Sequence, residues 1–347
     1  VTHHVPATPR SPLQNLVHTL KNEWFLVGMF VAVILASLFP EVGRSGGPFH
    51  VDTLVDIGIA IVFFLHGLGI SMTALKDGLS RWRVHLSVQL FTFAAFPLLW
   101  YGLDALFGRW LPAGLGLGFL YLCVLPSTVS SSVALTGVAR GNVPAAIFNA
   151  TLSGLLGIVL TPALVALLAG VENQGLSFLD AVLGIAKMLL LPLVAGQLLR
   201  PLLHAWHHRH KKLTTAVDRG AILLMVFGAF ADSVYSGLWR DHGVGLLLIA
   251  AVGASLILAI VLYLTKWMAR VQGFNTEDEI TTIFCGSKKT LASGVPMAKL
   301  IFGAHPALGV IVLPIMFYHQ IQLVVCSIIA NRYALRPQAS GAHGSTH

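Results

Sequence analysis

Apolar runs of about 20 residues, divided by short polar and charged clusters, follow one another along the chain, and that is the length at which an α-helix crosses a ~30 Å hydrocarbon layer. Apolar length and punctuation predict ten spans, at 24–39, 51–71, 83–107, 113–138, 143–169, 178–203, 213–238, 242–267, 277–301 and 306–331. The fold class predicted is an all-α polytopic membrane protein. The short alternating segments of a membrane barrel are absent. Two spans do not read as continuous helices. The fourth is interrupted by Pro126-Ser127-Thr128-Val129-Ser130-Ser131-Ser132, the ninth by Gly286-Ser287-Lys288-Lys289-Thr290. An unpaired backbone group inside a bilayer costs several kcal/mol, so a broken helix survives only where protein or a water-filled cavity satisfies it. Paired interruptions, one in each half of a chain, point to the binding site of a secondary transporter.

Composition agrees with this pattern and adds an orientation. The chain is 56% hydrophobic and 10% charged, where soluble domains carry about 25% charged residues. Of its 22 Lys and Arg residues, 15 fall on the side of the N-terminus and 4 on the opposite side; Lys187, Lys288 and Lys289 lie within spans. This bias predicts cytoplasmic N- and C-termini. Ten spans split into two groups of five, and a five-span repeat must insert with inverted orientation. The expected organisation is a leader (1–21), a first inverted repeat (22–170), a second (171–335) and a disordered tail (336–347), with discontinuous helices 4 and 9 crossing near the midplane. The net charge of +8 sits in loops beside lipid headgroups and forms no compact basic domain, which argues against nucleic acid. Cys123, Cys285 and Cys326 all fall in spans and are expected as buried free thiols.

Charged groups near the bilayer centre are costly, so each is a candidate for function. Lys288 and Lys289 lie ~18 Å into the ninth span at 1.5 Å per residue. A buried lysine can attract an anion or, deprotonated by desolvation, carry a proton. The helical step of ~100° predicts that one of the two faces the cavity. Ser130, Ser131, Ser132 and Thr290 supply hydroxyls at the breaks, and hard cations seek oxygen ligands. Asn149 and Ser153 are four residues apart on one helix face and could complete a sodium site with Ser131 and Ser132. His319 can titrate near neutral pH, and Gln89 is a further polar candidate. Lys187 and Asp232 lie at similar depth and are expected to form a structural pair. His204, His207, His208 and His210 match no zinc signature and are expected in a solvated loop. Without an oxyanion arrangement, a Ser–Lys hydrolase is disfavoured; no enzyme activity is expected.

At these residues the chain resembles the sodium/bile-acid symporter family, most of all its divergent cotransporter 7-like branch, which includes bacterial proteins. The resemblance is carried by Phe63-Phe64-Leu65-His66-Gly67-Leu68, Leu125 through Ser132, Ala139-Arg140-Gly141-Asn142, Phe284 through Leu291 and Tyr318-His319. It implies a panel domain of spans 1, 2, 6 and 7, a core domain of spans 3–5 and 8–10, and alternating access by movement between them. It also implies a bacterial inner-membrane location. The departures are specific. Where family members carry Glu-x-Gly-x-Gln-Asn in span 9, this chain has Phe284 for Glu and Lys288 and Lys289 for Gln and Asn. The family's second sodium site is therefore absent or replaced by a tethered ammonium. Aligned positions in span 5 fall on Ala146 and Ala150. A bile acid substrate does not follow from this resemblance.

The expectation is a transporter of a small organic anion by alternating access, coupled to a cation with sodium favoured and with no other cofactor. Proton coupling through Lys288 or Lys289, and a non-transporting regulator of ion homeostasis, are the rival readings.

Overall fold

Every regular element is helical in the computed structural model, which describes residues 24–70, 80–169, 178–235, 237, 243–303 and 305–336. The expected leader, the border between the two repeats and nearly all of the tail lie outside the described residues. Apart from a single turn at Pro40–Gly43, the helices in chain order are α1 (Trp24–Leu38), α2 (Val51–Gly69), α3 (Trp82–Trp110), α4 (Ala113–Val124), α5 (Ser130–Val138) and α6 (Val143–Ala169). They continue as α7 (Phe178–Arg209), α8 (Lys211–Tyr235), α9 (Gly243–Val271), α10 (Thr276–Gly286), α11 (Gly294–Phe302) and α12 (Leu308–Ala334). Seven of them (α2, α3, α6, α7, α8, α9 and α12) are each long and apolar enough to cross a membrane, and shorter apolar stretches occupy Val27–Leu38 and Gly114–Val124. The protein is an integral membrane protein. Where the sequence predicts interrupted spans, the chain forms the short pairs α4–α5 and α10–α11, with residues 125–129 and 287–293 non-helical between them.

Helix α1 packs on α8, and α2 packs on both α7 and α8; α4 lies against α12, α9 against α10 and α12, and α5 against α6, α10 and α12. The α2–α7 crossing is the tightest. A Cβ added at Gly67 would stand 2.0 Å from Leu193 O, and one at Gly196 would stand 2.1 Å from Phe64 O. Paired glycines let the two backbones touch, the usual way helices associate where lipid removes any hydrophobic drive.

Helix α10 starts at a built cap. The Asn275 side chain accepts from Asp278 N at 2.9 Å, and Glu277, Asp278 and Glu279 fill the first turn, where negative charge favours the positive end of the helix dipole. Asn142 ties this turn to the α5–α6 corner by donating to Asp278 Oδ1 (2.8 Å), and Arg336 donates to Ala139 O and Arg140 O from the end of α12.

Two expectations are corrected. Asp232 does not pair with Lys187, which is exposed on α7; it accepts from Ser45 N and Oγ at 2.6 and 2.8 Å and lies 3.8 Å from Lys299 Nζ. Similar depth along two helices does not make two side chains share a face. The histidine cluster is not a loop: α7 runs on to Arg209 and carries His204, His207 and His208. Among the described residues, no group of three His, Cys, Asp or Glu side chains could hold a metal. All three cysteines are buried and free.

Candidate functional site

The two helix breaks meet and close each other's open ends. A helix that stops leaves its last carbonyls without donors, and in a membrane each must find one. At the end of α4, Leu125 N donates to Leu122 O (3.4 Å), Thr161 Oγ1 to Val124 O (2.9 Å) and Thr290 N to Pro126 O (3.1 Å). The carbonyls of Cys123 and Leu125 accept from Lys289 Nζ at 2.9 and 2.6 Å. The second break thus caps the first. The favour is returned at the end of α10, where Ser132 Oγ donates to Phe284 O (3.0 Å) and Ser127 Oγ to Cys285 O (2.6 Å). Tyr318 Oη, from α12, donates to Ser287 O at 2.6 Å.

Both lysines are fully buried. The expectation that only one faces inward rested on a helical step, and neither residue is helical. They instead differ in how many partners they have. Lys289 Nζ has a third acceptor, Thr92 O at 2.9 Å, whereas Lys288 Nζ donates to Ser131 O at 3.1 Å. An ammonium carries three N–H donors, so Lys288 is the cation with donors to spare.

The remaining predicted residues fall into three groups. Ser131 and Ser132 both bond to Thr128 Oγ1 at 2.8 Å, while Ser130 is exposed at the first turn of α5. Ser153 Oγ accepts from Ser127 N (3.0 Å), which holds α6 against the first break. Asn149 sits with Gln89, whose Nε2 lies 3.2 Å from Asn149 O and 3.3 Å from its Oδ1, and Gln89 Oε1 is buried with no hydrogen-bond partner among the described residues. At the second break, Thr290 Oγ1 accepts from Ser293 N at 3.5 Å. His319 Nδ1 lies 3.0 Å from Gln322 Nε2. Because that amide nitrogen donates, Nδ1 is the acceptor here.

Sequence reasoning missed Gln322, Thr92 and Tyr121. Gln322 grips the Lys289 backbone from both sides, accepting from its N–H (3.0 Å) and donating to its C=O (2.8 Å) as a neighbouring strand would. An amide in an apolar span is the signal that could have found it. Tyr121 Oη donates to Gly294 O at 2.5 Å and fixes the start of α11. Nothing in the local sequence marks the Thr92 carbonyl as an acceptor except Pro97, five residues on.

Two pairs of short helices in a helical membrane protein meet here around buried lysines. Comparison with known proteins supplies the class. The profile of the SBF-like CPA transporter family matches residues 23–335, and the chain belongs to that family. It is 46% identical over 318 residues to an uncharacterized protein of Pseudomonas aeruginosa, covering 92% of this chain and 95% of the relative. It is 45% identical to YfeH of Escherichia coli K12 over 313 residues (89% and 92%), and 33% identical to rat sodium/bile acid cotransporter 7 over 321 residues (90% and 93%). The members are transporters, not enzymes.

Proposed function

We propose that this protein is a secondary active transporter that moves a small organic anion across a bacterial inner membrane, coupled to sodium. The observation that carries the reading is the junction of the two breaks, where Lys288 keeps a buried ammonium with unused donors beside Ser131. A carboxylate or sulfate brought to this point would supply the missing acceptors, by charge-assisted hydrogen bonds that are shorter and stronger than neutral ones. In this reading α4–α5 and α10–α11 each form one interrupted span. With α1 and the seven long helices they make ten spans in two inverted repeats, with both termini in the cytoplasm. Gln89 Oε1, buried and unpartnered next to Asn149, supports sodium as the coupling ion, since an orphan carbonyl oxygen suits a hard cation.

The test is uptake of small carboxylates and bile acids into proteoliposomes under an imposed sodium gradient or an imposed pH gradient. Stimulation by sodium that is lost in Gln89→Ala is the expected result. Uptake that follows the pH gradient and ignores sodium would transfer the coupling to Lys288, whose single acceptor suits a proton carrier.

Alternating access requires two bodies, and the packing supports α1, α2, α7 and α8 as one and the remaining helices as the other. Polar links between them gather at the end opposite the predicted cytoplasmic face. Lys299 Nζ donates to Ser45 Oγ (3.2 Å) and faces Asp232; Ser233 Oγ donates to Pro306 O (2.9 Å) and accepts from Gly309 N (2.8 Å). This end is latched, and outward opening must break the latch. Asp232→Asn is expected to speed amide exchange over residues 305–309 while residues 285–290 keep wild-type protection. Unchanged exchange over 305–309 would mean that these bonds hold nothing shut.

A further inference from the structure

The surroundings of Lys289 are those of a bound cation. Its Nζ meets the carbonyl oxygens of Thr92 (2.9 Å), Cys123 (2.9 Å) and Leu125 (2.6 Å), and stands 3.9 Å from the centre of the Phe96 ring. Each acceptor has been released by the chain itself. In the π-helical turn Phe91–Ala95 the N–H of Phe96 turns back to Phe91 O, and Pro97 brings no N–H, so Thr92 O has no donor in its own helix. Pro126 likewise brings no N–H, and the N–H of Ser127 goes to Ser153 Oγ, so Cys123 O loses its helical donor. Leu125 O lies beyond the last turn of α4. The end of a helix carries partial negative charge, and the ring adds its electron-rich face.

Counting donors favours the charged form. A neutral amine has two N–H groups, and three carbonyl acceptors require the three of an ammonium. None of the four surrounding groups can donate to it. We propose that Thr92 O, Cys123 O, Leu125 O and the Phe96 ring form a binding site for a small monovalent cation of the ammonium class, built by the fold and filled in the native chain by the head group of Lys289. The cation at this position is therefore covalent and does not exchange, and it ties α3 to the first break while neighbouring Lys288 stays free for other work. The inference stands apart from the transport reading, because it can be tested with no solute present.

The experiment is the thermal melt of purified Lys289→Ala and Lys289→Met at constant ionic strength in ammonium, methylammonium, sodium or tetramethylammonium chloride. Lys289→Ala leaves a void the length of the lysine stem. It is expected to melt well below the wild type in tetramethylammonium and to recover most of the loss, saturably, in ammonium or methylammonium. Wild type is expected to respond to neither ammonium nor methylammonium, and a rise in sodium that it shares with both variants belongs to the coupling ion's own site. Lys289→Met fills the void without charge; it is expected to melt below the wild type and to ignore ammonium. Three results would overturn the proposal: Lys289→Met as stable as wild type, Lys289→Ala gaining no more from ammonium than from tetramethylammonium, or sodium restoring Lys289→Ala in preference to ammonium by more than it raises the wild type. If Lys289→Ala never folds, the Lys289→Met melt decides.

Discussion

Alanine at Gly67 or at Gly196 is expected to cost the protein its fold or most of its stability. The added methyl would lie 2.0 Å from Leu193 O in the first case and 2.1 Å from Phe64 O in the second. Real carbon–oxygen contacts stop more than an ångström farther out, and in both cases the obstacle is backbone, with no side chain to rotate away. Overpacking a core typically costs ~1–3 kcal/mol when side chains can give. Here α2 and α7 must separate along their whole contact, so the loss should exceed that range. Glycines with open surroundings provide the control. Gly69 and Gly184 have nothing among the described residues within 4 Å of an added Cβ, and Gly69→Ala or Gly184→Ala should leave the melting temperature within a degree or so of wild type, or raise it by reducing the freedom of the unfolded chain. Wild-type stability of Gly67→Ala in a detergent melt would mean that the crossing is looser than described.

The second large effect is expected in transport. Lys288→Ala removes the buried ammonium that, among the described residues, has spare donors at the junction of the breaks, and with it one hydrogen bond, to Ser131 O. Hydrogen bonds to charged groups contribute ~1.5–3 kcal/mol, and each 1.4 kcal/mol is tenfold in affinity. Anion uptake by Lys288→Ala should therefore fall about ten- to a hundredfold. Because no helix end among the described residues depends on Lys288, Lys288→Met, which fills the buried volume without the charge, should lose uptake in the same way yet fold and melt closer to the wild type than Lys289→Met. The contrast with Lys289, which closes three carbonyls, separates the two neighbours: one variant loses transport and keeps its stability, the other loses stability first. Full uptake by Lys288→Ala would remove this lysine from the site.

Much of this architecture is legible in the sequence. Val143–Ala169 is both a predicted span and an observed helix, because an unbroken apolar run between turn-forming residues has one way to pair its backbone in lipid. The breaks were legible for the same reason inverted: Pro126 removes a donor, and serines, glycine and paired lysines do not belong in hydrocarbon. Pairing was not legible. Lys187 and Asp232 match in depth along the sequence, yet Asp232 turns to Ser45 and Lys299, since the rotation of a helix about its axis is set by its neighbours.

What the sequence determined alone is the class of the molecule: helical, membrane-embedded, interrupted at two places by residues that need partners. These are local properties, fixed by the cost of each side chain and each backbone group in an apolar medium. Only the tertiary structure decided who the partners are. It placed Ser127 and Ser132 on the carbonyls of α10, Gln322 along the backbone of Lys289, and Lys289 itself among carbonyls contributed by α3 and by the first break. Adjacent lysines of identical chemistry thereby receive different tasks, because a hydrogen bond depends on distance and direction, and those come from helices far apart in the chain.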